Sequence, residues 1–302
     1  VSATITILRA GPLTTIQDEG RSGLLASGIS ASGPMDTAGF ALAADMLGVQ
    51  ALGGIEFTMA GLELAVTAGS CRIGFAGGAF TVRHNGEPVN WPGTVLLRVG
   101  DRVAITPGGA GNYGYLRFDG DLQLPAVLGS LATNSRAQLG GLAGRPLQAG
   151  DRLELGVGAS GAPRLQRSTT VPADSAFRVV WGIHADLFSP QTRQAFVAGR
   201  FEVSPQMDRM GVRLRDAERV FAGAGALSLV SDAIVPGDIQ ILGDGTPIVL
   251  MRDHQPTGGY PRIATVISAD LDRFAQQRPG TTIAFQPVTV EHAHRLLRGE
   301  TP

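Results

Sequence analysis

The chain has 302 residues, with 25 basic against 26 acidic side chains and a formal charge of -1, so charge alone points to no surface for nucleic acid or another polyanion. All 25 basic side chains are arginines. Without a lysine the chain cannot form a Schiff base, set a P-loop lysine on phosphates, carry a biotinyl or lipoyl group, or supply the lysine of a Ser-Lys amidase pair.

A hydrophobic fraction of 43% supports packed cores, and the length fits one large or two ordinary domains. Forty-two glycines and 18 prolines punctuate short runs of Val, Ile, Leu and Phe, which predicts a mainly β fold with a few short helices. In chain order the strands are expected at Ala3 to Leu8, Leu62 to Val66, Arg72 to Phe75, Thr94 to Val99, Arg102 to Thr106, Tyr113 to Phe118 and Arg152 to Leu155. A second series follows at Phe177 to Val180, Gln240 to Ile241, Ile248 to Met251, Ile263 to Ile267 and Thr282 to Phe285. Asn85-Gly86 and Asp244-Gly245 carry the Asx-Gly signature of tight hairpins.

A first helix is expected after Ser32-Gly33, with Pro34 at its first position and Gly48 as its stop. Ser189-Pro190 opens a second, closed by Gly199. A third follows Ser268 and stops at Pro279-Gly280, and a last short one covers Val290 to Leu297. Gly100-Asp101-Arg102 and Gly150-Asp151-Arg152 each precede an apolar strand, so they read as one turn-into-strand device used twice. The stretch Gly156 to Asp174, rich in Gly, Ser, Thr and Pro, is the expected boundary. A break near 160 to 172 divides the chain into halves 1–165 and 166–302.

Cys71 is the sole cysteine, which excludes an intramolecular disulfide and a C-x-x-C redox motif, and its apolar surroundings mark it as a buried small hydrophobe. Val1 to Arg9 holds no long apolar region, and no stretch approaches the ~18 apolar residues of a membrane span. A soluble, cytoplasmic protein is expected. No pair among His84, His184, His254, His292 and His294 has i, i+4 helical spacing, so no metal site is expected. There is no G-x-S-x-G elbow and no GxGxxG before a helix, which leaves no sign of a dinucleotide site.

Polar groups concentrate in two places. In the segment 252–262, Asp253 and Gln255 would share a face if the preceding strand continued. Gly258-Gly259 would let backbone amides approach a ligand, and Tyr260 and Arg262 would supply a phenol and a cation. An ordinary β-turn with satisfied polar groups explains the same residues. Near the N-terminus, Thr14 to Arg21 leads to Ser32-Gly33-Pro34-Met35-Asp36 at a helix mouth, where free amides could receive an anionic or carbonyl group and where simple capping is the alternative.

At these residues the sequence resembles the biotin-dependent carboxyltransferase-like family, which includes the C-type component of 5-oxoprolinase, the so-called allophanate hydrolase subunit 2, the Kip antagonist and the carboxyltransferase domain of urea carboxylase. The resemblance rests on Gly11 to Arg21, Ser32 to Asp36, Glu56-Phe57-Thr58, Pro125 to Ser130, Gly140 to Arg145, Asp208 to Leu214 and Gln255 to Pro261, and it covers nearly the whole chain. It implies two cyclophilin-like β-barrel halves with their loops meeting between them. It also implies partners: a cyclophilin-like B-type protein, an A-type protein of the LamB/YcsF kind, and joint ATP-dependent opening of 5-oxoproline to glutamate. ATP would be used on a partner, biotin would enter only on a separate carrier chain, and this chain would bind neither.

On that reading Asp253, Tyr260 and Arg262 are the catalytic candidates, with Tyr260 or Asp253 moving a proton and Arg262 binding an oxyanion or carboxylate. Gln17, Asp18, Arg21, Ser32, Asp36, Gln255, Thr257, Gly258 and Gly259 would bind substrate. A Kip-antagonist-like regulatory protein and a carboxyltransferase acting on urea or a related amide are the alternatives. The sequence departs from the family pattern at Arg262, where lysine is usual, at Pro256, where threonine is usual, and at Leu131-Ala132, where Arg-Ser is usual.

Overall fold

The computed structural model describes residues 3–48, 51, 53–157, 176–222 and 229–300. The chain divides into two compact units. The first runs to Gly23 and resumes at Ala31; the second takes Leu24–Ser30 and the C-terminal half. The break expected near 160 to 172 lies outside the described residues.

The first unit is a ten-stranded sheet curled nearly into a barrel. Its spine is a single strand, Leu62–Gly77, where the sequence suggested two. Its first part pairs with Ala3–Ala10 and Arg102–Pro107, and its second part with Gly93–Arg98 and Tyr113–Phe118. The exposed residues Thr67 to Ser70 between them hid this continuity, because polar and small side chains at a solvent-facing stretch look like a loop. Ile5, Ile7, Ile16, Ile55, Phe57, Leu64, Ile73, Phe75, Leu116 and Phe118 fill the interior, with Cys71 among them. Burial pushes the Cys71 thiol up to about 12. Asn85 and Gly86, both with positive φ, turn Phe80–His84 into Glu87–Val89.

The repeated Gly-Asp-Arg phrase has one geometry. Gly100 and Gly150 take φ of 92° and 93°, and Asp101 and Asp151 each accept from the amide three residues back, Arg98 and Gln148, at 2.8 Å. Each carboxylate closes the turn so that its strand starts in register.

Helix α1 spans Thr37–Asp45, three residues later than Pro34 suggested. Ser32 and Gly33 have φ of 58° and 86°, which is incompatible with a right-handed helix. The cap falls to Asp36, whose Oδ1 accepts from Gly39 N at 2.8 Å.

The second unit holds an eight-stranded sheet in the order Thr282–Ile283, Phe201–Met207, Gly211–Arg215, Pro247–Leu250, Asp238–Ile241, Arg262–Val266, Phe177–Trp181, Phe285–Pro287. Neighbours are antiparallel except the last pair. Helix α2, Pro190–Ala198, is capped by Ser189 and presses Phe196 into a cluster with Phe201, Phe221 and Phe285. Helices α3, Ser268–Ala275, and α4, Val290–Leu297, follow where expected. A two-stranded pairing of Asp232–Ala233 with Thr257–Gly258 stands apart from the sheet. Among the described residues, no helix is long and apolar enough to cross a membrane.

Candidate functional site

In the first unit, Thr15–Gln17, Gly54–Thr58 and Tyr113–Phe118 lie side by side, with Thr15 opposite Glu56 and Glu56 opposite Tyr115. Alternation sends Ile16, Ile55, Phe57 and Leu116 into the core and leaves Thr15, Gln17, Glu56, Tyr115 and Arg117 on the other face. Helix α1 lies on that face. Phe40 meets the Tyr115 ring edge-on at 5.6 Å and sits 4.0 Å under the Arg117 guanidinium. Burial lowers Arg117 to about 10, and it donates to the carbonyls of Gly53 at 2.9 Å and Ala51 at 2.5 Å.

This frame holds the helix mouth and one long loop. Glu56 Oε2 accepts from Met35 N at 2.7 Å, and the Tyr115 hydroxyl accepts from Asp36 N at 2.7 Å. Asp18 accepts from Gly20 N at 2.9 Å, Ser130 Oγ at 2.6 Å and Leu131 N at 2.6 Å. Arg21 donates from Nη2 to Ala132 O and from Nε to Val127 O. Ser32 Oγ accepts from Asn134 Nδ2 at 3.2 Å, and Gln17 Nε2 donates to Thr15 Oγ1 and Thr133 O. Gly140 completes the loop with φ of 65°, where a Cβ would fall 2.1 Å from Ala132 O.

Of the five residues expected to bind substrate here, Gln17, Asp18, Arg21 and Ser32 are bonded to the 127–145 loop, while Asp36 is held by Tyr115 and caps α1. Gln17, Arg21, Ser32 and Asp36 are buried and Asp18 is partly so. The departures at Leu131 and Ala132 leave this frame intact, since it uses their backbone N–H and C=O groups and buries both side chains. Gln17 Oε1 is buried with no hydrogen-bond partner.

In the second unit, the strand Pro247–Leu250 ends before Asp253, so Asp253 and Gln255 do not continue its alternation. The segment leaves and re-enters the sheet through two ion pairs. At its start Asp253 Oδ2 and Oδ1 accept from Arg209 Nε at 2.8 Å and Nη2 at 3.1 Å, with both side chains buried. At its end Arg262 donates from Nη2 to Asp232 Oδ2 at 2.6 Å, and from Nη1 to Ala233 O at 2.6 Å and Asp238 Oδ2 at 3.3 Å. The guanidinium expected to bind a substrate oxyanion or carboxylate is thus engaged by two aspartates of its own chain. Arg262 stands opposite Gln240 in the pairing of its strand with Asp238–Ile241, and that register sets Asp238 within reach.

Between the clamps, Thr257 and Gly258 pair with Ala233 and Asp232, Leu229 N donates to Gly259 O at 2.8 Å, and Ile234 N donates to Pro256 O at 3.2 Å. The departure at Pro256 leaves this bond intact, because it uses the backbone carbonyl. The fixed loop exposes Thr257 and Tyr260 and half-buries Gln255, Gly258 and Gly259. Tyr260 and Arg262 do not share a strand face: Arg262 begins the strand, and Tyr260 lies outside it.

Sequence reasoning missed two residues here. Gln240 is 1% exposed, and its Nε2 has no hydrogen-bond partner. It lies against Gly258, where a Cβ would come within 2.4 Å of Nε2. His254 is buried, and its Nδ1 lies 2.7 Å from Gln255 O. Because a carbonyl only accepts, Nδ1 carries the proton and Nε2 presents the lone pair. Burial, the leading cause, holds the His254 imidazole below the usual histidine range. The sequence signal for Gln240 was the alternation Asp238-Ile239-Gln240-Ile241, which reads as a half-exposed strand but is buried on both faces.

Among the described residues, no group of three or more His, Cys, Asp or Glu side chains is placed to share a metal ion.

A curled mainly β unit with a polar helix mouth, joined in one chain to a second sheet with a clamped Gln-Pro-Thr-Gly-Gly-Tyr loop, matches the model of the carboxyltransferase domain, subdomains A and B, over residues 27–287. The chain belongs to that family. Within it, the chain is 33% identical to the C-type component of 5-oxoprolinase from Escherichia coli, over 95% of this chain and 92% of that protein. It is likewise 33% identical to the same component from Haemophilus influenzae, over 97% and 94%. Among solved structures, the urea amidolyase of K. lactis superposes with a TM-score of 0.87 at 27% identity, over 98% of this chain and 19% of that one. The Kluyveromyces lactis urea carboxylase gives the same TM-score and identity over 28% of its length. The chain thus spans less than a third of those two enzymes.

Proposed function

We propose that this chain is the C-type component of an ATP-dependent 5-oxoprolinase, a cytoplasmic complex that opens 5-oxoproline to glutamate. The observation that carries the reading is end-to-end similarity: the two 5-oxoprolinase relatives are matched over more than nine-tenths of their length, whereas the chain corresponds to only 17% of the urea amidolyase of Lachancea kluyveri. A C-type component needs partners for the chemistry it lacks. ATP chemistry falls to those partners, a B-type cyclophilin-like protein and an A-type protein of the LamB/YcsF kind. Biotin, which the family name brings with it, is carried on a lysine side chain; this chain has none, so the group would arrive on another chain.

Opening the lactam adds water across its C–N bond, so the developing charge on the carbonyl oxygen needs donors and the water needs a proton acceptor. In the second unit, the fixed turn offers the Thr257 hydroxyl, the Tyr260 phenol and the Gln255 amide to a small amide. His254 is the proton acceptor that best fits the turn, since its tautomer is fixed and its Nε2 lone pair has no hydrogen-bond partner among the described residues. Asp253 and Arg262, with their charges engaged by Arg209, Asp232 and Asp238, act through the loop by holding it. In the first unit, Gln17, Asp18, Arg21, Ser32 and Asp36 keep the helix mouth and the 127–145 loop in place, and Gln17 Oε1 is the acceptor left for a ligand N–H.

The test is reconstitution. Co-expression with A-type and B-type proteins should give a complex that co-elutes in size-exclusion chromatography and releases glutamate from 5-oxoproline only with ATP, while the isolated chain is inactive. Full turnover by the partners without this chain, or no association at micromolar concentration, would overturn the reading. Carboxyl transfer to urea from a carboxybiotinyl carrier is the outcome that favours the alternative, to which the urea carboxylase likeness lends support.

A further inference from the structure

The second unit contains a groove of about 340 Å³, between the sheet and the two C-terminal helices, that plays no part in the reading above. Its floor is Val180 and Thr265, directly opposed on neighbouring strands. Ile267 and Leu271 form one wall, and α4 forms the other with Val290, Ala293, His294 and Leu297, a stripe at i, i+3, i+4 and i+7. An apolar stripe of this kind normally closes against the sheet. Here no residue of α4 is fully buried, and Val290 and Leu297 remain 51% and 63% exposed.

One cation lines this apolar space. Arg252 contributes to the groove, its side chain is 22% exposed, and its one hydrogen bond to a described residue is from Nη2 to Asp272 Oδ1, at a long 3.3 Å. Nε is buried without a partner. A guanidinium has five N–H donors, and one of them is engaged by a described residue, in an ion pair with Asp272; Thr265, Ser268 and His294 add polar groups to the lining. In a surrounding of low polarity such a cation favours an anion strongly. The volume lies at the lower end of the range of small-molecule pockets.

We infer that this groove is a binding site for a small monocarboxylic acid with a compact aliphatic or aromatic body, its carboxylate on Arg252 and its apolar part against Val180, Leu271, Val290 and Leu297. Nothing covalent is involved. The groove lies outside the 253–262 turn, so an acid bound there is distinct from the substrate of the reaction proposed above.

The full chain is titrated with 4-methylpentanoate and phenylacetate by calorimetry and by ligand-observed NMR, with the corresponding primary amides as neutral controls. The acids should bind and the amides should bind at least about tenfold more weakly, the factor expected from loss of a charge-assisted hydrogen bond. Arg252→Met keeps the stem and removes the charge, and should abolish this preference for the acid. Ala293→Trp fills the groove and should abolish binding of both. Arg252→Gln serves if the methionine variant fails to fold by circular dichroism. No binding of either acid to the wild type, or equal acid binding by the Arg252 variants, overturns the inference. If Ala293→Trp instead changes the elution volume of the chain, a second copy occupies the groove and the inference also falls. Tyr260→Phe should leave acid affinity unchanged, which separates this site from the turn.

Discussion

Arg209 and Asp253 form a two-pronged, buried ion pair that fixes the chain where it leaves the strand Pro247–Leu250 for the Gly-Gly-Tyr turn. Two backbone bonds reinforce it, from Asp253 N to Arg209 O at 2.7 Å and from Met251 N to Met210 O at 2.8 Å. The side chains thus extend a ladder begun by the pairing of Gly211 with Leu250. Position and electrostatics are coupled: moving the turn separates two buried charges.

Removing one member of this pair should therefore be costly. Arg209→Met leaves a buried carboxylate without its counter-charge and should lower stability by about 3–5 kcal/mol, measured by urea unfolding. The double variant Arg209→Met with Asp253→Leu should recover most of that loss. If it does not, the pair contributes more than charge compensation.

Arg262→Met should behave as a structural variant. Asp238 is buried and would lose its cation, so a drop of about 3 kcal/mol is expected. Asp232→Asn, at a carboxylate 53% exposed, should cost far less, because solvent screens the pair. Melting and complex activity measured on the same samples should show activity per folded molecule unchanged. A fully folded Arg262→Met with lost turnover would place its guanidinium on the substrate instead.

The pH dependence of stability should carry a histidine signature. Burial lowers the pKa of His254, and burial followed by the Arg262 charge lowers that of His184. Below an unfolded value of about 6.5 the unfolded chain takes up protons that the folded imidazoles refuse. Stability should be full above neutrality, fall as pH drops through about 6.5, and level off below the folded pKa values. The carboxylates held low by hydrogen bonds, such as Asp101 and Asp151, act only at more acidic pH, near and below their ordinary range. Urea midpoints at pH 7.5 and 5.5 should differ less in His254→Gln than in the wild type. Equal differences would remove His254 from the account.

Gln240→Met should separate stability from function. The buried amide has a donor with no partner, which costs roughly 1–3 kcal/mol in the native state. A methionine of similar length removes the group, so the variant should be as stable as the wild type or more so. If the amide serves the turn's ligand, complex turnover should fall about tenfold or more. Undiminished turnover would make Gln240 an idle polar group.

Residue pattern and turn chemistry by themselves determined much of this protein. The mainly β class followed from short apolar runs between glycines, the paired turns followed from Asn85-Gly86 and the two Gly-Asp-Arg phrases, and α2 and α4 began where Ser189 and Thr289 cap them. These are local matters, settled by φ/ψ preference and by bonds over a few residues.

Only tertiary structure decided what the polar residues do. Asp253 lies 44 positions from Arg209, Asp18 lies 112 from Ser130, and Arg262 lies 30 from Asp232; no spacing rule links such pairs. The same distance effect merged Leu62–Gly77 into one strand and buried the alternating Asp238–Ile241, because strand burial depends on what covers the second face. A charged residue in a motif can contact a ligand or hold the loop that does. The choice between those roles is set by the burial and counter-charge that distant segments bring to it.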